Sequence, residues 1–296
     1  MFSPIERVGF ACVTYELGFS TNHTLRLKNL NGTRLEQTID KNFADFQAIL
    51  AWMADSGLRL FRIGSSLIPF ASHAAMEFDW KSFCAERLES IGQRYAPLGF
   101  RFSMHPGQYN VLNSHKQQVV QQAMAELSYS CEVLDLMGLD ASHKVILHGG
   151  GVYGNKADSI ERLERVLRDL PWSVRRRLAL ENDERYYSFE EIVLVSIRTG
   201  IPAVFDLHHH RINPCLQLEK WLHEGAKVWD CTPKVHLSSQ KPGARPGSHD
   251  LLVHREDLEE LLALLPFKAD LMVEAKAKEL AASLVLEWLS EHERVD

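Results

Sequence analysis

Histidine and carboxylate residues recur where the apolar segments of this 296-residue sequence end. Seven of eight such segments end in one of these residues or are followed by one: His73, His105, His148, Glu181, Asp206, His236 with His249, and Glu274. Imidazole and carboxylate groups together suit Zn²⁺, Mn²⁺ or Fe²⁺ better than Ca²⁺. They are too many for one tetrahedral ion, so the sequence predicts two or three. Closely spaced ions favour displacement at phosphorus, because one stabilises the attacking hydroxide and another the leaving oxygen.

Two neighbouring sets of residues leave alternatives open. Lys234 stands two positions before His236, so both side chains share one face of a strand. Its amine could contact a phosphate, lie to one side, or be carboxylated and act as an anionic ligand. His208, His209 and His210 come shortly after Asp206, and alternation along a strand prevents all three from facing one metal. We expect at least one of them to face solvent.

Eight strand-like segments alternate with helical ones along the whole chain, which predicts a single (β/α)8 TIM barrel spanning residues 1–296. The predicted strands are Arg7–Val13, Arg59–Gly64, Arg101–His105, Lys144–His148, Arg177–Glu181, Pro202–Leu207, Lys234–Leu237 and Asp270–Glu274. The predicted helices are Asn42–Ala54, Trp80–Tyr95, Gln117–Met137, Ala157–Leu170, Ser188–Gly200, Leu216–Glu224, Glu256–Leu265 and Lys278–Leu289. Loops are expected at Tyr15–Asp40 and Ser238–Asp250. An open doubly wound sheet is the alternative, but it would favour a glycine-rich loop after the first strand, and none occurs. Barrel active sites lie at the carboxyl ends of the strands, where the residues above converge.

The overall composition limits the class of protein. The sequence is 45% hydrophobic and 24% charged, as is usual for a globular protein. A net charge of -6 argues mildly against a nucleic-acid partner, although bound divalent ions would add positive charge locally. Five scattered cysteines indicate reduced thiols rather than a zinc finger. With no apparent signal peptide or membrane span, we expect a cytoplasmic protein. The basic run Arg175–Arg177 precedes the fifth strand, and we expect it to be a solvated face.

Five motifs in a fixed order resemble the UV damage endonuclease family, which is related to endonuclease IV and the xylose isomerase-like barrels. They are FSMHPGQYNVLN (102–113), LHGGGVYGNK (147–156), LALENDE (178–184), FDLHHHRINP (205–214) and KVHLSSQ (234–240). The resemblance implies up to three divalent ions, often manganese (Mn²⁺), with Zn²⁺, Fe²⁺ or Mg²⁺ as alternatives. It also implies hydrolysis of the phosphodiester immediately 5′ to cyclobutane pyrimidine dimers and 6-4 photoproducts, leaving a 3′-hydroxyl.

The resemblance assigns roles to individual residues. Its metal ligands would be His105, His148, Glu181, Asp206, His209, His236, His249 and Glu274. His73 would be a ligand or near-ligand, and Lys234 occupies the position of a carboxylated lysine in the family. We expect the catalytic group to comprise Lys234, His73, Glu181 and Glu274.

Other residues are expected to contact DNA. Gln108 and Tyr109 match the pair that probes the lesion, and they follow a rigid His-Pro-Gly turn from which an aromatic wedge could fill the gap left by flipped bases. Alternatively, Tyr109 packs on the barrel rim. Phe10 and Thr14 replace a tyrosine and an asparagine that help to hold the lesion in the family, so lesion contacts are expected to differ.

Phosphate contacts are expected from residues in loops beyond the strand ends: Lys241 and Arg245, with Arg211 and Tyr186. The expected partner is UV-damaged double-stranded DNA, which would bring the protein to the nucleoid. We expect a monomer with no obligate protein partner and no membrane contact.

Two other functions fit parts of this pattern. A metal-dependent sugar isomerase would share the barrel and ligands, but it needs a closed, sugar-sized pocket that Gln108–Tyr109 and a basic loop suit less well. A non-catalytic lesion-binding protein would not need so many metal ligands.

Overall fold

Eight parallel strands close into a barrel in the computed structural model, which describes residues 4–295. Each strand pairs with the next along the chain, and the last pairs with the first. The strands are β1 (Ile5–Ala11), β2 (Leu60–Ile63), β3 (Arg101–Met104), β4 (Lys144–His148), β5 (Leu178–Glu181), β6 (Ala203–Asp206), β7 (Lys234–Leu237) and β8 (Ala269–Val273). The predicted (β/α)8 barrel is confirmed, and a closed sheet excludes the doubly wound alternative.

Helices within residues 4–295 surround the barrel. They are α1 (Gly32–Ser56), α2 (Trp80–Tyr95), α3 (Gln117–Leu136), α4 (Lys156–Arg168), α5 (Trp172–Arg175), α6 (Phe189–Thr199), α7 (Leu207–Ile212), α8 (Leu218–Ala226), α9 (Arg255–Leu264) and α10 (Lys278–Val295). Two 3₁₀ turns also occur, at Leu27–Asn29 and Ala96–Leu98. Across this part of the chain, every helix is too short or too polar to span a lipid bilayer.

Helix α1 begins ten residues earlier than its apolar pattern predicted. The Asn31 side chain accepts a hydrogen bond from the Arg34 backbone N–H, which caps the first turn. Leu35 and Ile39 are buried and extend the apolar face toward the amino terminus. The prediction of a loop as far as Asp40 is therefore wrong from Gly32 onward.

The pleat of each strand sends alternate side chains outward to the helices and inward to the barrel. Phe10, Phe61 and Phe102 are neighbours across β1–β3 and point outward, where Phe46 of α1 packs against the latter two. Inside, Gly9 is required because a Cβ there would lie 1.4 Å from the Leu60 carbonyl oxygen.

Charged residues fill the amino-terminal end of the barrel interior. Asp270 is fully buried, and its carboxylate accepts hydrogen bonds from Arg7 (3.0 Å) and Arg101 (2.6 Å). Arg177 is also fully buried; it pairs with Asp135 and donates to the carbonyl oxygens of residues 139, 140 and 143. The expectation that Arg175–Arg177 forms a solvated face is therefore wrong for Arg177, because the carbonyl groups of the α3–β4 turn need this guanidinium as a donor, whereas Arg175 and Arg176 are partly exposed.

Candidate metal centre

Six consecutive strands bring a metal-ligating side chain to the carboxyl end of the barrel. In the order β3 to β8, these residues are His105, His148, Glu181, Asp206, His236 and Glu274. Each ends its strand, lies within it, or follows it directly, so closure of the barrel alone brings them to one mouth.

Glu181 lies at the centre of the cluster. Its carboxylate oxygens lie 2.9 Å from His105 Nε2 and 2.9 Å from His236 Nδ1. It forms one group with His105 and His148 and a second with Asp206 and His236, and the ligating atoms within each group lie within 4.8 Å of one another. Each group has the donor chemistry of a divalent-ion site, and the two groups have the Glu181 carboxylate in common.

The cluster includes one residue that sequence reasoning missed. Arg62, on β2, is buried, and its guanidinium lies 2.6 Å from Glu274 Oε1 and 3.0 Å from His236 Nε2. Although burial alone would lower its pKa, Glu274 and Glu181 raise it, so the guanidinium stays charged. The signal available in the sequence was an arginine within an otherwise apolar strand. A charge buried in such a strand requires a carboxylate partner.

The buried carboxylates change the proton affinities of the imidazoles. Burial alone would raise the pKa of Glu181, but His236 and His148 hold it well below its usual range. Burial lowers the pKa of His148 to about 4. Burial would also lower the pKa of His209, but Asp206 and Glu181 outweigh it and raise this pKa to about 11. A positively charged imidazole is thus favoured where the carboxylates converge.

The three consecutive histidines lie on helix α7, which begins directly after Asp206 and was not predicted. His209 faces the cluster, with Nδ1 3.0 Å from the Asn182 carbonyl oxygen and 3.5 Å from Glu181 Oε1. His208 is buried beside His249, and His210 packs against the Phe205 ring. The expectation that at least one of the three faces solvent is met only in part: His210 is partly exposed and none is fully exposed, because a helical turn directs successive side chains about 100° apart rather than to opposite faces.

Lys234 lies one layer below His236 in the barrel interior. Its amine is buried and has no hydrogen-bond partner among the described residues. Burial, with Arg101 and Arg62 nearby, holds its pKa well below the usual range. A neutral amine in this position can add CO₂ or accept a hydrogen bond.

Unsatisfied polar atoms test whether metal ions fit this site. Asp206 Oδ2 and His148 Nδ1 are buried without a hydrogen-bond partner among the described residues. Buried polar atoms without partners are costly, and an oxygen and an imidazole nitrogen with free lone pairs are ligands for divalent cations. The residues present therefore fit the predicted ions.

His249 and His73 lie farther from the centre. The His249 ring donates through Nδ1 to the Glu274 carbonyl oxygen (2.7 Å), and the ring itself is half-buried at the rim. This bond orients the ring beside the cluster, as metal-binding imidazoles are commonly oriented. His73 is exposed in the β2–α2 loop, where its Nδ1 accepts from the Ala75 backbone N–H (3.0 Å). Neither belongs to the two groups built around Glu181.

Gln108 and Tyr109 form an exposed turn after β3. Tyr109 is 85% exposed, and Gln108 is exposed as well. The turn is closed by Asn110, whose backbone N–H and side-chain amide both donate to the Gly107 carbonyl oxygen. The aromatic ring thus projects from a rigid turn next to His105 and does not pack on the rim.

Three other predicted DNA contacts are engaged within the protein. Phe10 is fully buried against Phe61 because β1 ends at Ala11 and its pleat directs this ring outward to the helix layer. Thr14 is buried, and its hydroxyl bonds the backbone of Phe19. Arg211 pairs with Asp257 and Glu260. The structure therefore brings neither Phe10 nor Thr14 to a DNA-accessible surface, and Arg211 is not free.

The loop between β7 and α9 is a hairpin rather than an irregular segment. Gln240 and His249 pair as an antiparallel bridge, and the Lys241 N–H donates to the Ser248 carbonyl oxygen (2.7 Å). Lys241 and Arg245 are exposed on this hairpin, and Tyr186 is exposed beyond β5.

The fold and site together define a (β/α)8-barrel protein with a candidate centre for more than one divalent ion. A family model described as UV-endonuclease UvdE matches residues 6–296. The chain belongs to the UV-endonuclease UvdE family, which confirms the resemblance.

Individual relatives agree with this assignment. The UV DNA damage endonuclease of Clostridium perfringens is 33% identical over 295 residues, covering 96% of this chain and 71% of the relative. The UV DNA damage endonuclease of Bacillus mycoides is 33% identical over 263 residues, covering 86% and 80%. The crystal structure of SacUVDE matches with a TM-score of 0.92 and 34% identity, covering 97% of this chain and 99% of that one.

More distant structures share the fold alone. The D-psicose 3-epimerase of Clostridium cellulolyticum H10 has a TM-score of 0.57 and 12% identity, covering 85% of this chain and 93% of that one.

Proposed function

We propose that this protein is a metal-dependent DNA repair endonuclease that hydrolyses the phosphodiester immediately 5′ to UV lesions, leaving a 3′-hydroxyl. The observation that carries the proposal is the pair of imidazole–carboxylate groups that share Glu181 at the barrel mouth. Family membership supports the reaction class, because the relatives at 33% identity bear the name UV DNA damage endonuclease.

The ligand set proposed for two or three Mn²⁺ ions comprises the six strand-end residues with His209 and His249. Divalent ions held there would stabilise the charge that develops on the phosphodiester and acidify the attacking water. The chain's own residues orient these groups: Arg62 holds Glu274, and the Asn182 and Glu274 carbonyl oxygens fix the rings of His209 and His249. His73 stays a proposed near-ligand on the β2–α2 loop.

Recognition of the lesion is assigned to the turn that carries Gln108 and Tyr109. An exposed ring on a rigid turn can enter a duplex where damaged bases have left the stack, since unstacking is least costly at a lesion. The polar side chain of Gln108 would meet the opposing bases. Cyclobutane pyrimidine dimers and 6-4 photoproducts are therefore the proposed substrates.

The Lys234 amine is proposed to carry a carboxyl group derived from CO₂. Its nitrogen lone pair adds to the CO₂ carbon, and one nitrogen proton leaves to solvent, which converts a buried amine without a partner into an anionic ligand one layer below His236. Supporting observations are its burial and its lack of a partner within the described chain. Intact-protein mass spectrometry under native conditions, with and without bicarbonate, should show a bicarbonate-dependent adduct that Lys234→Met lacks.

One nicking assay tests reaction, substrate and cofactor together. A duplex with a single defined cyclobutane dimer is incubated with the protein after EDTA treatment and again after Mn²⁺ is restored. We expect a cut 5′ to the dimer only with Mn²⁺, no cut in the matched undamaged duplex, and no cut by His105→Ala. Binding of the damaged duplex without cleavage at any divalent metal would instead indicate a lesion-binding protein. Turnover of xylose without nicking would indicate a sugar isomerase.

A further inference from the structure

A basic groove lies on the same end of the barrel as the metal centre and has no part in that site. It runs between the β1–α1 loop and the first turns of α1, with a volume of about 560 Å³. The cationic and amide side chains that line it are Arg26, Arg34, Lys41, Asn29 and Gln37, together with His23. No carboxylate of the described chain lines it, and an acidic group in contact with a lining residue is Asp45, which pairs with His23 at 2.6 Å.

The cations of this groove are not neutralised by the protein. Arg26, Arg34 and Lys41 are exposed, and none forms an ion pair with any residue from 4 to 295. Asp40, next to Lys41, instead pairs with Arg87 of α2 at 2.6 Å, and Glu36, two residues after Arg34, forms no ion pair with residues 4–295. Arg34 and Lys41 stand seven residues apart on α1, so both point to the same side of the helix.

Several exposed cations without carboxylate partners lie on the β7–β1 side of the barrel mouth, and Lys116 is another, beyond β3. Lys241 and Arg245 lie on the β7–α9 hairpin, and Lys276 follows β8. Because β7, β8 and β1 are adjacent in the closed barrel, these loops and the groove occupy neighbouring sectors of the mouth and together make up a basic arc, in which Glu16 is also exposed. On the opposite side, the β4–α4 loop (149–155) carries no charged residue, and the β5–α6 loop carries Asp183 and Glu184, the latter paired with Arg185.

This distribution explains how an acidic protein could bind a polyanion. The chain has a net charge of -6, but many of its other arginines are bound to carboxylates on the helices or at the amino-terminal end of the barrel, as Arg7, Arg165 and Arg255 are. Affinity for DNA depends on the cations that neutralise phosphates, not on the total charge.

We propose that this groove binds the sugar–phosphate backbone of the duplex flanking the cleavage site, as the far end of the basic arc. The proposal rests on the function proposed above and deepens it. An open groove whose donors are long, exposed side chains suits an extended chain of phosphates rather than one small anion, which would need buried donors. Tyr109 lies on the β3 side of the mouth, and the basic arc is centred on β8. The duplex would therefore lie between the Tyr109 ring and the basic arc.

The test reverses two charges in the groove and two elsewhere. Arg34→Glu/Lys41→Glu changes the groove, and glutamate preserves helix propensity. Arg94→Glu/Lys268→Glu is the matched control, because both residues are exposed, have no carboxylate partner among residues 4–295, and lie at the amino-terminal end of the barrel. Binding of an undamaged duplex that extends beyond the rim is followed by fluorescence anisotropy over a salt series with the Mn²⁺-loaded protein.

We expect the groove pair to weaken binding about tenfold or more at low salt and to reduce the salt slope by about 2, since each phosphate contact contributes about 0.9. The control pair should change neither quantity. If the groove and control pairs behave alike while the wild type nicks dimer-containing DNA, the groove proposal is wrong and the endonuclease proposal stands. If the wild type binds through the groove but nicks no damaged DNA, the endonuclease proposal fails and the groove remains a DNA site.

Discussion

Replacing Glu181 with glutamine tests whether the cluster at the barrel mouth binds metal ions. The substitution keeps the shape of the side chain but removes the charge shared by both imidazole–carboxylate groups. Ions that bind only the folded protein stabilise it by RT ln(1 + L/Kd), where L is the concentration of free ion. The difference in melting temperature with and without Mn²⁺ therefore measures binding, independently of any change that the substitution makes to the metal-free protein.

The expected size of the effect follows from general thermodynamic constants. At a Mn²⁺ concentration about 100-fold above the Kd, the wild type gains about 2.7 kcal/mol. An unfolding entropy of about 2.1 cal/mol/K per residue gives about 0.6 kcal/mol/K for this chain, so the melting temperature should rise by about 4 °C. Groups that only orient ligands contribute about 10- to 100-fold to affinity, so losing this shared ligand should weaken binding about 100-fold or more. The Mn²⁺-dependent shift of Glu181→Gln should then be below about 1 °C.

Differential scanning calorimetry on metal-stripped protein, before and after addition of Mn²⁺, provides the measurement. Glu161→Gln is the matched control, because this carboxylate is exposed on α4 and pairs only with Arg165. The control should keep the full shift. Equal shifts in the two variants would refute the assignment of Glu181 as a metal ligand.

Three further changes have defined expected outcomes. Tyr109→Ala should reduce nicking of dimer-containing duplex about tenfold or more while leaving the Mn²⁺-dependent thermal shift unchanged. Equal loss of both would contradict the proposal that the Tyr109 ring enters the duplex at the lesion. Burial lowers the pKa of His143 to about 3, whereas in the unfolded chain this pKa has its ordinary value near 6.5. The unfolded state therefore binds the proton more tightly. The free energy of unfolding should fall as the pH drops from about 6.5 toward 3, by up to about 1.4 kcal/mol per pH unit. Urea titrations between about pH 6 and pH 4 should show a shallower decline for His143→Gln, and parallel declines would refute this. Arg177→Met should cost about 3–5 kcal/mol, because the buried carbonyl oxygens of residues 139, 140 and 143 lose their donor while Asp135 keeps Arg176. The exposed Arg165→Met should cost below about 1 kcal/mol in the same titration.

The sequence was most informative where one physical constraint dominates. Continuous apolar strands separated by helices predicted the barrel, and strand ends predicted the cluster, because residues at the carboxyl ends of parallel strands must meet at one mouth. That argument identified His105, His148, Glu181, Asp206 and His236 without knowledge of any contact.

Other features depend on three-dimensional contacts that local patterns do not specify. Arg62 joins the cluster only because the barrel brings β2 opposite Glu274 and His236. Phe10 faces the helices because the pleat of β1 directs its ring outward. This strand ends at Ala11, and the next residue, Cys12, adopts a positive φ of 67°. Alternation of apolar and polar residues predicts which side chains share a face of a strand, but the register against neighbouring strands sets which face lies inside the barrel. A fully apolar strand shows no such alternation.

The proposed ligands at the mouth come from residues 105 to 274, one from each of six neighbouring strands. Ions held by them would link six of the eight strands, because any partial opening between β3 and β8 must first separate the ligands. Metal loading should therefore suppress partial unfolding throughout these strands and not only in the loops around the site. Hydrogen exchange would then slow together in segments far apart in sequence, and limited proteolysis of the metal-free protein would report whether the barrel is closed.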